Sequence, residues 1–124
     1  QKLNLPFVYV RPEPKKHGRQ NQIEGVVQDG QAVVVIEDLI STGMSSLNAV
    51  TAIKAAGIEV LGMIALFSYG FEIAESNFKD VAVELYTLSD YNHLIKHATA
   101  TKTIKKEQQQ TLVNWRKSPS TWKP

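Results

Sequence analysis

VVVIEDLISTGMSS, residues 33–46, is the stretch on which the reading of this chain turns. Its first four residues are apolar without alternation, which suits a strand buried on both faces of a parallel sheet. Glu37 and Asp38 follow at once, where that strand is expected to leave the sheet, and the short loop Ser41, Thr42, Gly43 leads to a helix expected to start near Ser45. Strand, acid pair, hydroxyl loop and helix, in that order, make a site for a sugar phosphate. The first turn of a helix exposes N–H groups that have no intrahelical acceptor, and it carries the positive end of the helix dipole. With hydroxyl donors beside it, such a turn holds a phosphate without any lysine. The carboxylates are then free to accept from ribose hydroxyls. Two rival phosphate loops are excluded. A Walker A loop requires Lys and then Ser or Thr after its last glycine, where this chain has Met44 and Ser45; a dinucleotide fingerprint requires three spaced glycines, and only Gly43 is present.

The chain of 124 residues is long enough for one domain with one core and too short for two, so residues 1–124 are read as a single unit. Hydrophobic residues make up 43% and charged residues 21%, ordinary for a globular domain. No apolar stretch is long enough to span a bilayer, and no basic start followed by an apolar run marks a secretory signal, so cytoplasm is the expected location and no membrane partner is expected. The absence of cysteine removes disulfides, thiolate zinc sites and cysteine nucleophiles together. A net charge of +2 is too small to imply nucleic acid. Its distribution carries more information, because Arg11, Lys15, Lys16, His17 and Arg19 fall within nine residues.

Residues 5–10, rich in β-branched and aromatic side chains, are predicted to form a strand ending at Arg11, stopped by Pro12 and Pro14. Residues 12–22 hold prolines, a glycine and charges but no apolar residue, so a mobile loop is expected there. Residues 23–27 read as a short strand, and Asp29-Gly30 as a turn into the buried strand at 32–36. Leu47, Val50, Ile53 and Ala56 recur at helical spacing, with Gly57 placed to end that helix. Residues 58–67 form another nearly unbroken apolar run, so a strand, helix, strand unit with a right-handed crossover is predicted, an α/β layout. A short helix within 68–79, a third buried strand over 81–88, a helix capped by Ser89 or Asp90 and running through Thr99, and a last helix over 103–117 complete the reading.

A second motif narrows the family. PFVYVRPEPKKHGRQNQIEG, residues 6–25, sets a strand ending in Arg before a basic Pro-containing loop, then Lys-His-Gly, then Asn-Gln-Ile-Glu-Gly. Together with EDLISTG this closely resembles the orotate phosphoribosyltransferase family, type I phosphoribosyltransferases that use 5-phosphoribosyl-1-diphosphate (PRPP). The likeness extends through EVLGMIALFSYGFE, LSDYNHL and NWRKSP, and so covers essentially the whole chain. It implies a Rossmann-like core with a mainly parallel sheet flanked by helices. It implies transfer of phosphoribose from PRPP to orotate to give orotidine 5'-monophosphate, a step of UMP biosynthesis, with Mg2+ helping to hold the diphosphate near Glu37 and Asp38. By resemblance Arg11, Lys15 and His17 are the catalytic lid residues that reach the diphosphate, and in family dimers this lid is shared between subunits. Glu37, Asp38, Leu39, Ile40, Ser41, Thr42, Gly43, Met44 and Ser45 become the PRPP-binding run, with Glu37 and Asp38 on the ribose, Thr42 to Ser45 on the 5'-phosphate, and Ser41 also contacting orotate. The departing diphosphate and an oxocarbenium-like sugar explain why a basic lid that excludes water is needed.

The chain also departs from the family. Many members carry Lys after the lid arginine, where Pro12 stands, and another branch uses an Arg for the orotate carboxylate, whereas no Arg occurs here between Arg19 and Arg116. Backbone amides or a residue outside the chain are expected to serve instead. Neither the hood over the base nor the diphosphate loop that family members carry ahead of this region is present. The chain is therefore expected to be the C-terminal, N-terminally truncated part of a longer protein, a poor catalyst alone, with exposed apolar edge surface that favours pairing of copies.

Plainer readings stand beside these. Glu37 and Asp38 as solvated strand-end acids, Ser41 to Ser46 as a simple helix cap, and the basic cluster as a solvated loop are each ordinary fates for such residues. His93 and His97 lie four apart, but Leu94 stands where a zinc-site Glu would follow His93, so they read as surface histidines. Trp115 and Trp122 read as packing residues. Two other functions share the loop: a regulatory module sensing PRPP or a nucleotide, against which Lys15 and His17 argue, and a purine-salvage phosphoribosyltransferase, against which Phe67, Tyr69 and residues 21–25 argue.

Overall fold

The computed structural model describes residues 2–13 and 22–123. Lys15, Lys16, His17 and Arg19, and with them most of the expected loop at 12–22, lie outside the described residues. Among the described residues five strands and four helices follow in chain order: β1 (Tyr9–Val10), β2 (Ile23–Glu24), β3 (Ala32–Ile40), α1 (Met44–Ala55), β4 (Glu59–Ser68), α2 (Glu72–Asp80), β5 (Leu85–Asp90), α3 (Tyr91–Ala100) and α4 (Lys106–Lys117). The order β3-β4-β5 forms a parallel sheet, while β1 and β2 pair antiparallel as a small separate ribbon. This is the α/β layout expected.

The β3-α1-β4 unit is the centre of it. Two parallel neighbours require a crossover, and α1 supplies it by placing Leu47, Val50 and Ile53 at helical spacing against the sheet. No side chain caps its start, so α1 is held by burial rather than by its own ends; each of those side chains contributes about 1.5–3 kcal/mol. Gly57 ends the helix with φ +76°, a left-handed conformation that glycine adopts without strain. The main core gathers Ile40, Leu47, Val50, Met63, Ala65, Ala74, Phe78 and Val83 from β3, β4, α1, α2 and the turn that follows α2. A smaller cluster of Ile23, Ile53 and Ile58 seats the ribbon against α1.

Several expectations need correction. Residues 33–36 are not buried on both faces: Val33 and Val35 pack inward, but Val34 and Ile36 are exposed, as are Leu66 on β4 and Leu88 on β5. The alternate positions point away from α1 and α2, and among the described residues nothing covers them. The strand expected over 81–88 begins later, at Leu85, because α2 runs to Asp80 and Ala82 turns the chain with φ +52°. It is also largely exposed rather than buried. The first strand shrinks from 5–10 to two residues, and Leu5 and Phe7 are exposed. The last helix starts at Lys106 rather than 103, after Lys102 turns with φ +59°. Its first turn is closed by Gln108, whose Oε1 accepts from the Lys105 N–H at 2.8 Å.

Candidate active site

β3 continues through both acids. Glu37 lies opposite Ala65, Leu39 opposite Phe67 and Ile40 opposite Ser68, so pairing with β4 carries the strand four residues beyond the expected end at Ile36. Successive strand residues face opposite sides. Glu37 accordingly takes the half-buried parity of Val33 and Val35, while Asp38 is exposed. The two carboxylates leave the strand on opposite faces instead of side by side, and neither is in an ion pair among the described residues. Leu39 is exposed, whereas Ile40 is fully buried, so its side chain serves the core.

Past Ile40 the chain turns sharply. Ser41 and Thr42 are exposed, and Gly43 is buried with φ +78°. A Cβ on Gly43 would lie 2.6 Å from Phe78 Cε2, so the ring of α2 fills the space a side chain would take. The same helix fixes the loop a second time, Asn77 Nδ2 donating to the Thr42 carbonyl at 2.9 Å. The first i to i−4 bond of α1 runs from the Leu47 N–H to the Gly43 carbonyl at 2.9 Å. The Met44 and Ser45 amides ahead of it have no intrahelical acceptor, no side-chain cap takes them, and the first turn holds no acidic residue. An anion is the natural occupant of such a turn.

The end of β4 closes the neighbouring side. The Tyr69 N–H donates to the Ile40 carbonyl at 3.0 Å and the Gly70 N–H to Ser68 Oγ at 2.9 Å, so these two amides are already used internally. Arg116 reaches back from α4, its Nε donating to the Tyr69 carbonyl at 2.7 Å and its Nη2 to the Gly70 carbonyl. Around them Tyr69 stacks on Phe71 with ring centroids 5.4 Å apart and packs against Phe67, Tyr91 and Trp115. Burial pushes the Tyr91 hydroxyl above its usual range, with the Tyr69 ring adding to the shift and Arg116 opposing it. A cleft of about 490 Å³ runs beside this cluster between α2, β5 and the start of α3, and none of residues 37–45 lines it.

Arg11 stands at the neck of the basic stretch. Its backbone N–H donates to the Gln22 carbonyl at 2.8 Å, and its guanidinium is engaged by Glu24, Nε donating to Oε1 at 2.7 Å. Lys15 and His17, its expected companions, lie outside the described residues.

No family model matches the chain. The curated orotate phosphoribosyltransferase of Cytophaga hutchinsonii is 58% identical over 121 residues, covering 98% of this chain and 58% of that protein. The crystal structure of orotate phosphoribosyltransferase from Aeropyrum pernix superposes with a TM-score of 0.68 at 29% identity, over 77% of this chain and 53% of that one. The Mycobacterium tuberculosis enzyme solved with PRPP gives 0.53 at 31% identity, over 62% and 45%. The chain is a homologue of the orotate phosphoribosyltransferases. Its fold is that of the type I phosphoribosyltransferases, and it spans about three fifths of the length of the curated relatives it matches.

Several site residues of this homologue are not marked in its sequence. Asn77 and Phe78 fix the loop from 35 residues away, Asn77 at Thr42 and Phe78 at Gly43, and nothing local distinguishes them from other α2 residues. Arg116 is visible only as a member of the NWRKSP likeness and as a basic residue in the last turn of α4. Asp90, by contrast, caps α3 as expected, accepting from the His93 N–H at 2.9 Å. That bond and the His93 ring hold its carboxyl below the ordinary value of 3.8. Among the described residues no three His, Cys, Asp or Glu gather into a metal site. Glu37 and Asp38 are hard oxygen donors, too few to cage a metal by themselves.

Proposed function

We propose that the protein carrying this chain transfers the 5-phosphoribosyl group of PRPP to orotate, giving orotidine 5'-monophosphate and diphosphate, a pentosyltransferase step of pyrimidine biosynthesis. The observation that carries the reading is the open first turn of α1: the Met44, Ser45 and Ser46 amides, ahead of the first i to i−4 bond and uncapped by a side chain, beside a Gly43 locked by Phe78, in a chain 58% identical to an orotate phosphoribosyltransferase.

In this reading the amides and hydroxyls of Thr42 to Ser45 take the 5'-phosphate, and Glu37 and Asp38 accept from the ribose hydroxyls. Ser41 contacts orotate. Arg11, Lys15 and His17 form the lid on the diphosphate, contributed to the neighbouring subunit's site of a homodimer, and Arg11 exchanges Glu24 for the diphosphate when the lid closes. Mg2+, when bound, neutralises diphosphate charge beside Glu37 and Asp38. The compartment is the cytoplasm. In the described residues no helix is long and apolar enough to cross a membrane.

The test is an assay of the protein as its natural gene encodes it, with Mg2+, PRPP and either orotate, uracil or hypoxanthine. Turnover with orotate alone is expected; turnover with hypoxanthine alone would overturn the assignment.

A further inference from the structure

We propose that Arg116 is a positioning residue for the phosphoribosyl site, acting through the Tyr69 peptide; the inference rests on the function proposed above. Tyr69 is bonded on both sides of its residue: its N–H is spent on the Ile40 carbonyl, immediately before Ser41, and its C=O receives Arg116 Nε. Arg116 Nη2 takes the next carbonyl, that of Gly70. A guanidinium is a rigid fork, so two consecutive carbonyls held at once fix the orientation of the peptide between them, which a single-point donor cannot do.

The backbone is shaped to receive that fork. Gly70 has φ +63°, and a Cβ there would lie 2.8 Å from Arg116 Nη2, so a side chain at this position would displace the guanidinium. The contact spans 46 residues of sequence and joins α4 to the end of β4. From there it reaches the end of β3 through one hydrogen bond, and β3 leads straight into the loop at Ser41. Arg116 therefore sets where the hydroxyl loop begins without touching substrate.

Trp115, its neighbour, docks α4 by packing alone, on Tyr69, Phe71 and Tyr91. That separates docking from positioning. In the protein as its gene encodes it, R116Q is expected to raise KM for PRPP about tenfold with kcat little changed, and R116K, whose donors radiate from one nitrogen instead of a planar fork, to fall between. W115L is expected to lower Tm at least as much with KM for PRPP near the parent value. A KM for PRPP in R116Q within about twofold of the parent, or an equal rise in W115L, would overturn the proposal. If R116Q does not fold, R116K against W115L decides by the same criterion. A parent protein without orotate turnover would sink the proposed function but not this test, which is then read by hydrogen exchange: the Tyr69 amide must exchange faster in R116K than in W115L, and equal rates would overturn it.

Discussion

Phe78 and Gly43 meet with no room between them: the place a Cβ would occupy on Gly43 lies 2.6 Å from Phe78 Cε2. The loop that turns from β3 into α1 is thus supported from below by α2. Its backbone, at φ +78°, follows a path open mainly to glycine.

Gly43→Ala combines a left-handed alanine with that clash. It is expected to destabilise the fold by about 1–3 kcal/mol, read as a lower denaturant midpoint at unchanged m-value. In a Phe78→Leu background Gly43→Ala should cost less than in the parent, the difference being the share due to the clash and the remainder the share due to φ. An equal cost in the two backgrounds would mean the ring is not the obstacle.

Ser45→Glu separates stability from binding. A carboxylate in the uncapped first turn of α1 favours the helix dipole by about 0.3–1 kcal/mol, so Tm should hold or rise. The same charge competes for the amides assigned to the 5'-phosphate, so affinity for PRPP should fall more than about tenfold. Unchanged affinity would move the phosphate elsewhere.

Asp90 predicts a pH dependence of known sign. Its carboxyl is held below 3.8 by the His93 N–H and then by the His93 ring. A depressed folded-state pKa contributes stability that is complete above 3.8 and is lost as pH falls through the lower folded value. Asp90→Ala should cost about 1 kcal/mol at neutral pH and much less at the acid end of a series of melts. A constant difference across that series would contradict the cap as its origin.

Lys15→Ala is expected to lower kcat far more than affinity for PRPP, because a lid residue earns its effect on the departing diphosphate rather than on the ground state. Equal losses in kcat/KM and in affinity would show uniform binding instead.

What the sequence revealed was what short-range pattern carries. Leu47, Val50 and Ile53 marked α1, Gly57 its end, Asp90 the cap of α3, and Asp29-Gly30 the turn before β3. What it hid depends on partners far along the chain. β3 runs on through Glu37 and Asp38 because β4 pairs with it as far as Ser68, and no feature of the acids announces that. Val34 and Ile36 look like core residues, yet their exposure depends on what packs above the sheet. Phe78, Asn77 and Arg116 support the loop from distant helices through contacts that periodicity does not encode.

The most direct test of the account is a titration of the isotope-labelled protein with ribose 5-phosphate, followed at its backbone amides. Saturable shifts centred on Thr42, Gly43, Met44 and Ser45, and abolished by Ser45→Glu, are predicted. Saturable binding that leaves the Met44 and Ser45 amides unmoved would contradict it.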